Sequence, residues 1–267
     1  MATFANRTVL LTGASSGIGR ALALQLASQR ARLALVARDR EALERVHGEC
    51  VALGGEAVVV VGDVGREEDC TRIVSRTVGS FGGLDVLLLN AGITMWSPVE
   101  ELADRSVFER LMRVNYLGCV WLTCEALPSL REARGQIVVV SSLTGLTGVP
   151  TRSGYAASKH ALHGFFDSLR IELASSGVDI TIACPDFVRS EIHRRAIGAD
   201  GQPLGTTPMR ESKIMTAETC ARLILEAARR RRRLAILTWR GKLGRWVNLV
   251  APGLIDRIAA RAIARGH

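Results

Sequence analysis

Seven short runs of β-branched and leucine-rich residues recur along the chain, at Thr8–Thr12, Arg32–Ala37, Ala57–Gly62, Val86–Asn90, Gln136–Ser141, Asp179–Ala183 and Leu234–Thr238. Every gap between them has room for a helix. Most of the runs are apolar at successive positions, as in Val58-Val59-Val60-Val61 and Val86-Leu87-Leu88-Leu89, which suits strands covered on both faces. Strands that alternate with helices in this way build right-handed β-α-β units and a doubly wound parallel sheet. No linker, repeat or low-complexity stretch divides the chain, so residues 1–238 are expected to form one domain.

The first run leads directly into Gly13-Ala14-Ser15-Ser16-Gly17-Ile18-Gly19 and then into a helical pattern through Ala21, Leu22, Leu24, Leu26 and Ala27. Glycines at such a turn permit a tight bend, and they let backbone N–H groups approach a pyrophosphate at a helix N-terminus, where the dipole favours negative charge. In the first β-α unit this is a dinucleotide-binding pattern, with Gly13, Ser15, Ser16, Gly17, Ile18 and Gly19 as the expected phosphate contacts. The fold class follows as α/β, a single-domain Rossmann-type sheet of seven strands with helices on both faces.

A site selective for the unphosphorylated nicotinamide cofactor would place an Asp or Glu about 20 residues beyond the glycines, to hold the ribose 2′-hydroxyl. Ala37 stands there instead, followed by Arg38. Arginine pairs bidentately with a phosphate, and the missing carboxylate removes a repulsion, so NADP(H) is expected over NAD(H). The alternative has Arg38 capping a surface turn while Asp39 reaches the ribose. Asp63, with Val64 after it, is expected on the same rim, where it either accepts from the adenine amine or serves as a plain strand-end turn residue.

Tyr155 and Lys159 lie four apart in Tyr-Ala-Ala-Ser-Lys. On a helix this spacing stacks the phenol and the ammonium on one face. A cation there favours the phenolate, bringing the tyrosine down from its reference of about 10 toward neutrality. A carbonyl oxygen that gains negative charge as hydride arrives needs donors already aimed at it, and hydroxyls of Tyr155 and Ser142 supply two. Taken singly, Ser142 is a strand-end hydroxyl, Asn115 a helix amide and Lys159 a solvated charge.

In this order, the glycine turn, Asn90-Ala91-Gly92, Asn115, Ser142 and Tyr155-x-x-x-Lys159 resemble the short-chain dehydrogenase/reductase family in its single-domain form, over residues 6 to 238. The resemblance implies that Tyr155 is the general acid/base, that Lys159 lowers its pKa and holds the nicotinamide ribose, and that Ser142 orients the carbonyl. It implies that Asn115 keeps a proton-relay water and that Asn90, Ala91 and Gly92 pass beneath the adenine ribose. It also implies homo-oligomerisation, as dimer or tetramer, through the helices bearing Asn115 and Tyr155. One departure is Asp186 in Cys184-Pro-Asp-Phe-Val-Arg-Ser190, where the family commonly has glycine after the proline. Pro185, Val188 and Ser190 are nevertheless expected along the nicotinamide. Similarity to hydroxysteroid dehydrogenases and carbonyl reductases hints at a bulky apolar substrate. The expected activity is an NADP(H)-dependent interconversion of secondary alcohol and ketone, or reduction of an aldehyde. The rival is a non-catalytic NADP(H)-binding regulatory or membrane-associated module, which would have no need of the proton machinery.

Substrate selectivity is expected in Thr94-Met95-Trp96, Leu143–Leu146, Phe187 and a glycine-punctuated excursion at 189–216, read as a lid over the small-molecule carbonyl or alcohol. The net charge of +9 belongs to the tail. Residues 229–267 carry eleven Arg/Lys against the single acid Asp256, which leaves residues 1–228 with 24 bases and 25 acids. Residues 239–267 form a basic amphipathic extension that could lie on an anionic membrane, on its own domain or on a second subunit. Without interleaved stacking aromatics the arginines are not a nucleic-acid signature. The six cysteines form no Cys-x-x-Cys and the five histidines no zinc-like cluster, so no metal is expected and the thiols read as core residues of a reducing compartment. No signal-peptide core or apolar run of spanning length is evident, and the expected location is cytoplasmic with peripheral membrane contact as an option.

Overall fold

The computed structural model describes residues 4–207 and 214–264. The strands are β1 (Thr8–Thr12), β2 (Arg32–Ala37), β3 (Glu56–Val61), β4 (Val86–Leu89), β5 (Gln136–Val140), β6 (Asp179–Cys184) and β7 (Leu234–Ile236). The helices are α1 (Gly17–Ala27), α2 (Arg40–Ala52), α3 (Glu67–Phe81), α4 (Ser106–Met112), α5 (Gly118–Glu132), α6 (Ser153–Glu172), α7 (Ala217–Arg229), α8 (Trp239–Val250) and α9 (Pro252–Ala264). The strands form one parallel sheet in the order β3-β2-β1-β4-β5-β6-β7.

Successive side chains of each strand enter opposite cores, which is why the strands read as unbroken apolar runs. Val9 and Leu11 pack with Leu22 and Leu26 of α1, Leu43 of α2 and Ile224 of α7. Leu10, between them, joins Ile73 of α3, Leu122 of α5 and Phe166 of α6 on the other face. The chain runs outward from β1 to β3 and returns to β4 on the far side of β1. Connections leaving β1 and β4 therefore diverge, and the crevice at their carboxyl ends is where ligands bind in such sheets.

The described part of the excursion after β6 is docked. Ile197 donates its N–H to Thr94 O at 2.9 Å and accepts from Trp96 N at 2.9 Å, while Ala103 N reaches Ala199 O at 2.9 Å. Gly201 and Gly205 take left-handed turns with φ of 78° and 72°. Met209, Arg210 and Lys213 of the expected lid, and Arg265 of the tail, lie outside the described residues.

Helix α8 packs its Gly241 on the body of the domain, where a Cβ would come 2.8 Å from the Leu143 methyls and 2.9 Å from Ile236. The α8–α9 pair leaves Trp239, Trp246, Leu249, Val250, Leu254 and Ile258 exposed. None of the helices, among the described residues, is long and apolar enough to cross a membrane. Arg229 and Arg230 pair with Glu226, Arg231 with Asp179 and Arg233 with Asp167, so most of the arginine run is tied to acids of the domain. Five cysteines are buried and Cys124 is exposed on α5. Burial pushes the Cys70, Cys184 and Cys220 thiols up to about 12, where they are inert as nucleophiles.

Candidate active site

The turn after β1 is built by contacts that leave no room for side chains. Gly13 has φ of 67°, and a Cβ on it would lie 2.9 Å from Ala91 Cα. A Cβ on Gly19 would lie 1.9 Å from the Gly13 carbonyl oxygen. Asn90 Nδ2 donates to the carbonyls of Thr12 at 3.0 Å and Gly13 at 3.3 Å, and Thr12 Oγ1 accepts from the N–H groups of Asn90 and Ala91. Ser16, at the N-cap of α1, makes no side-chain cap, so the orphan N–H groups of the first turn remain for an anion. Gly17, with φ of 53°, faces Ser190, whose Cβ would be 3.1 Å from a Cβ there. The glycine turn and the segment after β6 thus form two sides of one crevice. These features fit a dinucleotide. Ile18 is partly buried and packs against the core on the α1 side of the sheet.

On the rim, Arg38 is exposed and its Nη1 lies 3.9 Å from Asp63 Oδ2. Asp63 Oδ1 accepts from Gly65 N at 2.9 Å. Asp39 Oδ1 accepts from Ala42 N at 3.0 Å and caps α2, so that carboxylate has a local use and Arg38 is the residue presented outward. Val64 is buried in the α3–α5 core, with its carbonyl against Gly118.

Asn115, Ser158, Tyr155 and Lys159 come together around α6. Between α4 and α5 the chain makes one π-helical turn, Arg113–Leu117, a local widening common at functional sites. It carries Asn115, whose side chain accepts from Ile93 N at 2.8 Å and donates to Ile93 O and Ser158 Oγ, both at 2.9 Å. Ser158 Oγ donates to the Tyr155 carbonyl at 2.7 Å. Lys159 Nζ donates to Val140 O at 3.0 Å and lies 5.7 Å from the centre of the Tyr155 ring. Gly92 is close to both groups, since a Cβ there would be 3.2 Å from Asn115 Oδ1 and 3.7 Å from Lys159 Nζ. Ser142 lies two residues beyond β5 and opens the turn Leu143–Gly145, accepting from Thr144 N at 3.2 Å.

His163, one turn beyond Lys159, lies 3.1 Å from Ser141 Oγ, and burial pushes its pKa down to about 4. Burial first, and then the Arg152 charge, bring His193 down to about 4 as well. In the unfolded chain each titrates near 6.5, so below that pH the unfolded state binds more protons and stability falls. Urea midpoints should hold steady above pH 7 and decline below about 6.5, with a loss on the order of 2 kcal/mol per histidine by pH 5. A flat profile across that window would contradict neutral burial of both rings.

Asp186 needs no left-handed backbone, since it is absent from the residues with positive φ. Its Oδ1 accepts from Phe187 N at 2.9 Å and its Oδ2 from Thr238 Oγ1 at 3.4 Å, tying the start of α8 to the turn after β6. The Pro185 carbonyl accepts from Leu143 N at 2.9 Å. Val188 is buried beside α7, so it can meet a ligand through its backbone alone.

Two residues that sequence reasoning passes over line the same region. Arg152, immediately before α6, and His193, in the excursion, are both buried, within a cluster that includes Trp96, Tyr155 and Phe187. The nearest signal for Arg152 is its place three residues before Tyr155.

Residues 7–199 match the family described as short chain dehydrogenase. Among curated proteins, the chain is 39% identical over 229 residues to an 11-beta-hydroxysteroid dehydrogenase of Pinus massoniana, covering 83% of this chain and 64% of that one. It is 36% identical over 258 residues to 11-beta-hydroxysteroid dehydrogenase A of Sesamum indicum, covering 94% and 74%. It is 33% identical over 260 residues to a dehydrogenase/reductase SDR family protein 7-like of Dictyostelium discoideum, covering 95% and 81%. The fold is that of a short chain dehydrogenase/reductase from Burkholderia phymatum solved in complex with NAD, with a TM-score of 0.83 at 24% identity over 95% of this chain and 96% of that one.

Proposed function

The chain belongs to the short-chain dehydrogenase/reductase family, and from that premise we propose that it is an NADP(H)-dependent oxidoreductase interconverting a secondary alcohol and a ketone, or reducing an aldehyde, on a bulky apolar substrate. The observation that carries the reading is the buried chain of contacts from Asn115 through Ser158 to Tyr155, with the Lys159 ammonium 5.7 Å from the phenol ring. A binding module has no use for it.

Tyr155 gives the proton to the carbonyl oxygen in reduction and takes it from the alcohol in oxidation. Ser142 donates a hydrogen bond to the same oxygen. Lys159 places positive charge where tyrosinate forms and holds the nicotinamide ribose, and Asn115 keeps a relay water. When bound, NADP(H) supplies or accepts the hydride. The glycine turn and the uncapped start of α1 would hold its pyrophosphate, with Arg38 for the 2′-phosphate and Asp63 and Val64 for the adenine. Asn90, Ala91 and Gly92 would serve its adenine ribose, and Pro185, Val188 and Ser190 its nicotinamide.

A cavity of about 170 Å³ lies between Leu143, Leu146 and Thr147 on one side and Gly241, Gly244 and Ile255 of the tail on the other, with Asp186, Arg240 and Arg245 also in its wall; its aliphatic side chains and the hydroxysteroid names of the relatives support an apolar substrate. Homo-oligomerisation through α5 and α6, and peripheral membrane contact through the exposed apolar face of α8–α9, belong to the same reading. Solution mass and vesicle cosedimentation of the full-length protein test them.

Cofactor preference tests the Arg38 argument. The wild type should show the higher kcat/KM with NADPH, and Arg38→Ala should lower that value roughly 10- to 100-fold, the size of a lost charge-assisted contact. NADH kinetics should barely move. A wild type that prefers NADH would overturn the assignment.

A further inference from the structure

A cation without a counter-charge stands on the substrate side of Tyr155. Arg152 is 4% exposed. Its guanidinium carbon lies 4.9 Å from the Trp96 ring centre, 5.1 Å from that of Tyr155 and 5.6 Å from that of Phe187. Nη2 donates to Thr94 Oγ1 at 3.0 Å, and Nε has no hydrogen-bond partner. No acid among the described residues pairs with this guanidinium, and the one side chain whose charge would favour it is Tyr155. Beside it, His193 is 5% exposed, and its ring nitrogens meet no partner in good hydrogen-bond geometry beyond the backbone of Val188. Its ring centre is 6.1 Å from that of Phe187, the ring on which Arg152 also stacks.

This arrangement is expensive for the protein alone. A buried guanidinium needs a counter-charge and acceptors for its fork of N–H groups, and aromatic faces return only part of that. The position compounds the cost, because Arg152 occupies the N-cap of α6 without a capping side chain and so lies at the positive end of the helix dipole. The backbone beside it is also strained: Thr151, a β-branched residue, has φ of 66° and is held by Ser97 N donating to its carbonyl at 2.9 Å. An anion that reached the Nε edge would meet the guanidinium fork at the positive end of the helix dipole, with the His193 ring on the far side of Phe187.

We propose that the substrate carries an anionic oxygen group, a carboxylate or a sulfate, held by Arg152 beside the carbonyl on which Tyr155 acts. The 5.1 Å between the guanidinium and the Tyr155 ring sets the spacing. The anionic group and the reacting carbonyl are separated by only a few bonds, and the apolar remainder of the molecule extends along Leu143 and Leu146. Which carbonyl reacts rests on the oxidoreductase reading above; the binding of the anion does not.

Calorimetric titration of the full-length protein, with and without NADP⁺, tests this with 2-oxo-4-phenylbutanoate, its methyl ester and 2-oxo-2-phenylethyl sulfate. The wild type should bind the acid at least about tenfold more tightly than the ester, the scale of one charged hydrogen bond. Arg152→Met should abolish that difference, and Arg152→Lys, which keeps the charge and loses the fork, should reduce the acid's advantage without weakening the ester. A sulfate that binds more tightly than the carboxylate supports the site and assigns it to sulfate esters. Equal binding of acid and ester by the wild type, or an acid preference that survives either substitution undiminished, overturns the proposal. An Arg152-dependent acid preference without NADPH consumption on any probe would keep the anion site and count against the oxidoreductase reading instead.

Discussion

Tyr155→Phe should lower kcat for carbonyl reduction by about 10²- to 10⁴-fold, the usual contribution of a positioned proton donor, and leave NADPH binding little changed. The substitution removes one oxygen and nothing else from a ring that is fixed by its surroundings. That ring packs with Met95, Val107, Leu111 and Ile197, stacks under Arg152 at 5.1 Å and lies 5.7 Å from Lys159 Nζ. Phenylalanine keeps all of these contacts. Stability should therefore be unaltered, and the lost rate reads proton transfer. Steady-state kinetics with a fluorescence titration of NADPH would check it, and a variant within tenfold of the wild type would remove Tyr155 from the chemistry.

Gly19→Ala should be the most damaging single methyl in the chain. The added carbon would lie 1.9 Å from the Gly13 carbonyl oxygen and 2.7 Å from Asn90 Nδ2, and the first of these is backbone that cannot rotate aside. The turn must open, which separates Asn90 from the carbonyls of Thr12 and Gly13 and moves the N–H groups of α1. NADPH affinity should fall by about 100-fold or more, and stability by roughly 3 kcal/mol, in the upper range for overpacking at a closed site. Gly48→Ala in α2 and Gly79→Ala in α3 are the controls, since a Cβ at either meets nothing within 4 Å. Each should be neutral or stabilising by up to about 1 kcal/mol. Thermal melts and NADPH titrations of the three variants would separate the local clash from any general effect of losing a glycine.

The strands were legible because a strand buried on both faces has to be apolar throughout, and Val58–Val61 or Val86–Leu89 admit few other readings. Tyr155 and Lys159 were legible because helical spacing converts directly into proximity. The same logic misses what depends on distant partners. Arg152 looks like one of many surface arginines until Trp96 from the segment after β4 and Phe187 from the turn after β6 close around it. His193 is hidden for the same reason. The π-helical turn at Arg113–Leu117 has no distinct residue pattern, yet it carries the Asn115 amide that meets Ile93 and Ser158. Asp186 looked like a difficulty because glycine is usual there. Its carboxylate instead caps Phe187 N and receives Thr238 Oγ1, a use that no local pattern announces. The glycines at 201 and 205 punctuate the expected lid, and their left-handed turns lie in a stretch whose Ile197 pairs with Thr94 and Trp96, partners that no local pattern names.

In the proposed reaction a hydride passes between NADP(H) and a carbonyl carbon while Tyr155 handles the proton. Following deuterium from 4-position-labelled NADPH into the product of a reactive ketone tests it most directly. Each NADPH consumed should leave one deuterium on the carbinol carbon, from one face of the nicotinamide only, with no label in solvent and with turnover cut about 10²- to 10⁴-fold in Tyr155→Phe. Product formed without NADPH consumption, or label lost to water, would contradict it.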